Sequence, residues 1–241
     1  MSATALAEYL ILQPDGQDTI IHDSRYSRPP IVAANGAALR ALRRYNCDPY
    51  RDKSALGAVK AELMLKAALP DTKPKAKDEA LRCKEAIETF ERCENELGMR
   101  KMGLVKAPRF DELEIEGVAL SIRPHFLVQP PNGRVGAGII RVAKSPDPAD
   151  CKGDETKRRR SEHRREMGRY MIAMYHIMLD AQDGKYGLPD HGLSFVSDVR
   201  LGERIVAGID HTARLRAIRG ACRQIAKLWP TIKPRKSVLK K

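Results

Sequence analysis

The residues best equipped for chemistry in this chain are cationic. The segment KRRRSEHRREMGR (157–169) holds Lys157, Arg158, Arg159, Arg160, Arg164 and Arg165 within nine positions, with Arg169 closing it. Helical spacing sets Arg158, Glu162, Arg165 and Arg169 on adjacent turns. A cationic face of this kind binds phosphate oxygens and releases their counterions, so its affinity falls steeply with salt. A charge run laced with Glu is also what a solvated helix face looks like, and a second basic element shifts the balance toward phosphate. Arg214, Arg216, Arg219, Arg223 and Lys227 share one segment, followed by Lys233, Arg235, Lys236, Lys240 and Lys241. Residues 1–110 carry 19 Lys and Arg against 15 Asp and Glu, whereas residues 111–241 carry 25 against 16. The net charge of +13 therefore sits mainly in the second half. His163 and Glu166, three apart, have the types to share a proton or a metal, although a surface His beside a Glu is the commoner case.

Other chemistries are poorly supported. The five cysteines, Cys47, Cys83, Cys93, Cys151 and Cys222, include no CxxC pair and no His at zinc-finger spacing. Their odd number, and an N-terminal stretch without a basic leader, predict reduced thiols and a cytoplasmic location. There is no phosphate-binding glycine loop, no GxSxG, no HExxH and no internal repeat. Aromatic residues make up 5% of the chain, with one Trp, which argues against base stacking as the organising feature. Trp229 is assigned to packing of the last helix, and the Met-rich stripe 167–178 to the core. Charge breaks every apolar stretch before the roughly 18 residues of a membrane span, so no membrane partner is expected.

These side chains must be positioned by a core that 241 residues, 42% of them hydrophobic, can build without disulfides. Residues 1 to about 70 read as an interrupted helical segment. Ala38, Leu42 and Tyr45 share a stripe opposite arginines, and Leu56, Val59, Leu63 and Ala67 repeat at helical spacing behind Ser54. PDTKPKAK (70–77) reads as a linker. From Asp78 to Leu97 the stripe Cys83, Ile87, Phe90, Cys93, Leu97 predicts a helix closed by Gly98. The period then drops to two through residues 112–129, with a phase slip at Gly117 that indicates a bulge or tight turn. PPNG (130–133) connects to a returning strand, 134–144, which predicts three antiparallel strands. A long helix over 156–180 precedes a strand pair, LSFVSDV and RIVAG, in which Asp198 is expected to be exposed or at an edge. A final helix over 212–228 leads to a basic tail. The predicted organisation is an N-terminal helical segment (1–75), an α+β domain (76–230) with a mixed sheet flanked by helices, and the tail (231–241).

This order of helix, three strands, helix, strand and helix resembles the core of the restriction-endonuclease-like nucleases, the PD-(D/E)XK superfamily. GVALSIRPHFLVQPPNGRVGAGIIRVAK (117–144) looks like that family's second strand, hairpin and third strand. The resemblance implies a nuclease-like core in which two acidic residues hold a divalent metal and a lysine orients the attacking water. Carried over residue by residue, the first acid falls on His125, the second on Val142, and the lysine on Lys144. Hard cations need anionic oxygen ligands, and neither His125 nor Val142 supplies one.

The leading expectation is thus a protein that engages DNA or RNA backbone phosphates through Lys157, Arg158, Arg159, Arg160, Arg164, Arg165, Arg169, Arg216, Arg219 and Arg223. It keeps a nuclease-like fold and no cofactor, with His125 and Lys144 as remnants of a catalytic motif. The alternative is an active nuclease using Mg²⁺ or Mn²⁺ with carboxylates relocated to Glu162, Glu166, Glu114 or Glu116. A third reading is a regulatory subunit whose basic faces meet an acidic protein partner.

Overall fold

The structure, a computed structural model, describes residues 1–26, 35–143 and 146–234. Lys144 and the tail residues Arg235, Lys236, Lys240 and Lys241 lie outside the described residues. The chain begins with α1 (Ala3–Ile11), α2 (Pro14–Arg25), α3 (Gly36–Cys47), α4 (Lys53–Ala68) and α5 (Pro74–Arg92). The side chains of Ser2 and Asp52 accept the N–H groups of Ala5 and Ser54 at two of these helix starts. Pro74 stands in the first turn of α5, where its missing N–H costs nothing. The proline-lysine stretch read as a linker therefore supplies the start of this helix, and the helix ends at Arg92, short of Leu97.

The strands follow as β1 (Leu104–Lys106), β2 (Leu113–Ile115), β3 (Val118–Leu120), β4 (Phe126–Val128) and β5 (Arg134–Arg141). After α6 (Asp154–Asp180) come β6 (Leu188–Pro189), β7 (Phe195–Asp198), β8 (Glu203–Val206) and α7 (His211–Leu228). The main sheet runs in the order β1-β4-β5-β7-β8, with the short β6 beside the start of β5. β4 is antiparallel to both β1 and β5, β7 is parallel to β5, and β8 is antiparallel to β7. The parallel pair requires a crossover, and α6 provides it.

One strand assignment is corrected. Glu116 and Gly117 have φ of 50° and 81°, the two left-handed positions of a tight two-residue hairpin turn. The phase slip at Gly117 is therefore a chain reversal that pairs β2 with β3 in a separate two-stranded sheet. The third antiparallel strand of the main sheet is β1.

Each face of the sheet is covered. Phe126, Val128, Ile140 and Phe195 pack with α3, α4 and α5, whereas Leu127, Val135, Ala137 and Val196 pack with α1, α2, α6 and α7. This is the alternation that period-two pleating dictates. The first 75 residues do not stand apart, because α1 and α2 belong to one core and α3 and α4 to the other. Phe195 lies across the central strand so closely that a Cβ on Gly138 would sit 2.2 Å from its ring. Among the described residues the protein is α+β, with seven α-helices around a mixed sheet, and no helix is long and apolar enough to cross a membrane.

Candidate nucleic-acid interface

Part of the basic run of α6 is neutralised by its neighbours: among the described residues four of its seven cations, Arg158, Arg164, Arg165 and Arg169, meet carboxylates. Arg158 pairs with Glu155 at 2.9 Å, and Arg160 donates to the Asp147 carbonyl at 2.9 Å. Arg165 grips Glu203 with two hydrogen bonds of 2.9 and 2.7 Å and also reaches Glu162 at 3.2 Å. Its bond to Glu203 raises the Arg165 pKa and holds the Glu203 carboxyl below the ordinary carboxylate range. Arg169 bonds Glu162 at 2.9 Å and Glu166 as well. On α7, Arg223 pairs with Glu116 at 3.1 Å and Arg214 binds both oxygens of Glu166. Lys157, Arg159, Arg216 and Arg219 are exposed and show no ion pair among the described residues.

Arg164 is corrected outright as a phosphate ligand, because it is fully buried. Its Nε and one terminal nitrogen meet the two oxygens of Asp198, each at 2.8 Å. The same guanidinium donates to the carbonyls of Pro146 and Ala143, both at 2.9 Å. Asp198, expected at an exposed or edge position, is equally buried, since β7 lies inside the sheet with helices on both faces. It also accepts the backbone N–H groups of Arg200 and Leu201 and approaches Arg141 at 3.4 Å. A buried ion pair persists only when its remaining lone pairs and protons are satisfied, and this network supplies those partners. The signal was present in the sequence: Arg164 stands three, four and seven residues before Met167, Gly168 and Met171, on the buried stripe of α6.

A different region presents cations without carboxylate partners among the described residues. Arg40, Arg43 and Arg44 lie at helical spacing on the side of α3 opposite its buried Ala38, Leu42 and Tyr45. They line a groove of about 670 Å³ with Lys106 at the end of β1, and Asp48 is its one acidic lining residue among the described residues. Arg43 and Lys106 also border an adjoining groove of about 730 Å³ that adds Arg109 and Arg123 and ends at His125. None of these six cations forms an ion pair among the described residues; Arg123 donates only to the Ser121 hydroxyl, at 3.0 Å.

His125 connects this groove to a cleft lined by Glu8 of α1, Leu39 of α3, Arg141 and His163. The His125 Nδ1 accepts the Ile140 N–H at 3.2 Å, and its backbone N–H donates to the Gly138 carbonyl at 2.8 Å. Burial, then Arg43, pushes its pKa down to about 4. At neutral pH the ring is uncharged with its proton on Nε2, so it offers the cleft a hydrogen-bond donor and no lone pair. Burial, then Arg164, presses Arg141 down to about 10 against the pull of Asp198. His163 is lowered by burial, Arg141 and Arg164, so it too is neutral.

The nuclease resemblance calls for a divalent metal at this place, and the described residues do not fit one. The Nε2 of His125 carries a proton, Val142 is apolar and buried, and Glu8 is the one carboxylate lining the cleft. Of the relocated carboxylates, Glu162 and Glu166 are committed to Arg165, Arg169 and Arg214, and Glu116 to Arg223. Glu114 is exposed on β2, which pairs in the separate hairpin. A hard cation needs several oxygen ligands, and no such set forms. Among the described residues the group suited to a metal is instead His176, His191 and His211, none of which lines the His125 cleft. Sequence reasoning missed it because these histidines stand fifteen and twenty positions apart on three elements; the remaining hint was that they are three of six histidines in the chain.

The geometry defines a basic α+β protein with an open cationic groove at one end of its sheet. Compared with known protein families, curated proteins and solved structures, the chain matches none.

Proposed function

We propose that this protein binds nucleic acid through backbone phosphates, on a nuclease-like fold whose metal site has been lost. The observation that carries the reading is the run of six cations, Arg40, Arg43, Arg44, Lys106, Arg109 and Arg123, which among the described residues have no ionic partners and are bordered by a single acid. Clustered like charges repel one another, and that repulsion is relieved when an anion enters between them. Arginine forks pair two donors with two phosphate oxygens, which suits α3 to a polyphosphate chain better than to isolated anions. The neutral Nε2–H of His125 adds a donor where the groove meets the cleft. The element order supports the nuclease-like part of the reading: α5, three antiparallel strands β1, β4 and β5, the crossover α6, and β7 parallel to β5.

Retention of labelled DNA or RNA on a filter at low salt tests the binding. Retention that declines steeply with added salt is expected, and no retention of either polymer rejects the reading. Incubation of the same polymers with Mg²⁺ or Mn²⁺ tests the loss of catalysis. Intact substrate is expected, and metal-dependent cleavage that persists through purification to homogeneity would show that a metal site survives.

A further inference from the structure

The geometry points to a transition-metal site formed by His176, His191 and His211, of the kind that takes Zn²⁺. The three residues come from the last turns of α6, the 3₁₀ turn His191–Leu193 before β7, and the first position of α7. One nitrogen from each ring lies within 4.8 Å of the other two, and His176 Nδ1 is 2.8 Å from His211 Nε2. Zinc binds imidazole nitrogen at about 2.0–2.1 Å, which places tetrahedral ligand atoms about 3.3 Å apart. The cluster brackets that spacing; convergence on one ion requires the exposed His191 ring to turn out of its stack on His211 and the 2.8 Å His176–His211 pair to open slightly.

A plain hydrogen bond accounts for less of the arrangement. A proton shared between His176 and His211 explains their close approach but gives no role to His191, whose ring stacks on His211 with centroids 4.2 Å apart. Neutral imidazole, the form histidine takes above its ordinary pKa of about 6.5, is the form that ligates metals. An all-imidazole set selects Zn²⁺, Cu²⁺ or Ni²⁺ over Mg²⁺ or Ca²⁺. Asp190, next to His191, is held by Arg134 and the Gly192 N–H. His211 is buried, His176 half-buried and His191 exposed, which leaves a path for the ion and a fourth position for water. Bound metal would tie the segment before β7 to α6 and α7.

The test uses the full chain, stripped with a chelator and titrated with Zn²⁺ alone by calorimetry. One tight equivalent and a rise of several degrees in melting temperature are expected. His191→Ala should bind more than about 100-fold more weakly, since losing even an outer-shell partner of a ligand costs about 10- to 100-fold. Its metal-free melting temperature should match that of the parent, because the removed ring is exposed. Substitution with Co²⁺ separates this site from the five cysteines: a spectrum without thiolate charge-transfer bands is expected. Absence of a tight equivalent, equal affinity in His191→Ala, or thiolate bands from the bound Co²⁺ would each overturn the assignment.

Discussion

Two regions of this molecule are comparably rich in arginine and differ in what surrounds the charge. Along the first half of α6, Arg158, Arg165 and Arg169 each meet a carboxylate, and Arg164 is sealed inside against Asp198. Along α3 and the end of β1, Arg40, Arg43, Arg44 and Lys106 converge on a groove with one acid on its wall. In the first region four of the seven cations are spent on internal pairs, of which Arg164–Asp198 and Arg165–Glu203 fasten α6 to β7 and β8, while Lys157 and Arg159 stay exposed. In the second the cations are left available. A dense basic run in a sequence therefore need not be a basic surface, because the field that a phosphate meets depends on which charges the fold has already matched.

The comparison predicts that α6 substitutions act on stability and groove substitutions on binding. The largest effect belongs to the buried pair. Asp198→Asn or Arg164→Gln should cost about 3–5 kcal/mol in urea unfolding, because each strands its partner without water; a loss below about 1 kcal/mol would mean the pair is not sealed. Next comes the combined change Arg43→Gln, Lys106→Gln and Arg123→Gln. It should weaken nucleic-acid affinity about ten- to hundredfold at low salt, while stability measured by urea shifts by no more than about 0.5 kcal/mol.

A smaller effect is expected from His125 on acidification. Above pH 6.5 its ring is neutral whether the chain is folded or unfolded. As pH falls from 6.5 to about 4, only the unfolded chain gains the proton, so stability declines through that window. His125→Asn, which keeps an acceptor for the Ile140 N–H, should show a shallower decline in melting temperature over the same range. An identical decline would place the acid sensitivity elsewhere, His211 being the next group of the same sign. The smallest effect is that of Arg165→Gln. It removes a partly exposed pair, so it should cost at most about 1 kcal/mol and leave nucleic-acid affinity within about twofold; a larger loss of affinity would return α6 to the interface.

Much of the frame was legible because its periodicity is local. The stripe of α6, the returning strand β5, the β7–β8 pair and α7 each follow from apolar spacing within one segment. β1 was not legible, since a three-residue strand with only Leu104 buried carries no period. Asp198 was misjudged because all four residues of β7 are buried, and a strand covered on both faces does not alternate. The groove required knowing that α3, the end of β1 and the loops around Arg109 and Arg123 meet. The arginines opposite Ala38, Leu42 and Tyr45 were visible, but their lack of carboxylate partners was not. The same holds for His176, His191 and His211, which only the packing of α7 on α6 brings together.

The most direct measurement is the salt dependence of affinity, followed by fluorescence anisotropy of a labelled oligonucleotide with the parent chain, the groove triple variant and an Arg165→Gln, Arg169→Gln variant of α6. Each phosphate contact contributes about 0.7 to 0.9 to the slope of log affinity against log salt. The groove variant should lose about two to three units of slope while the α6 variant keeps the parent slope. The reverse pattern, with the slope lost from the α6 variant and retained in the groove variant, would contradict the account.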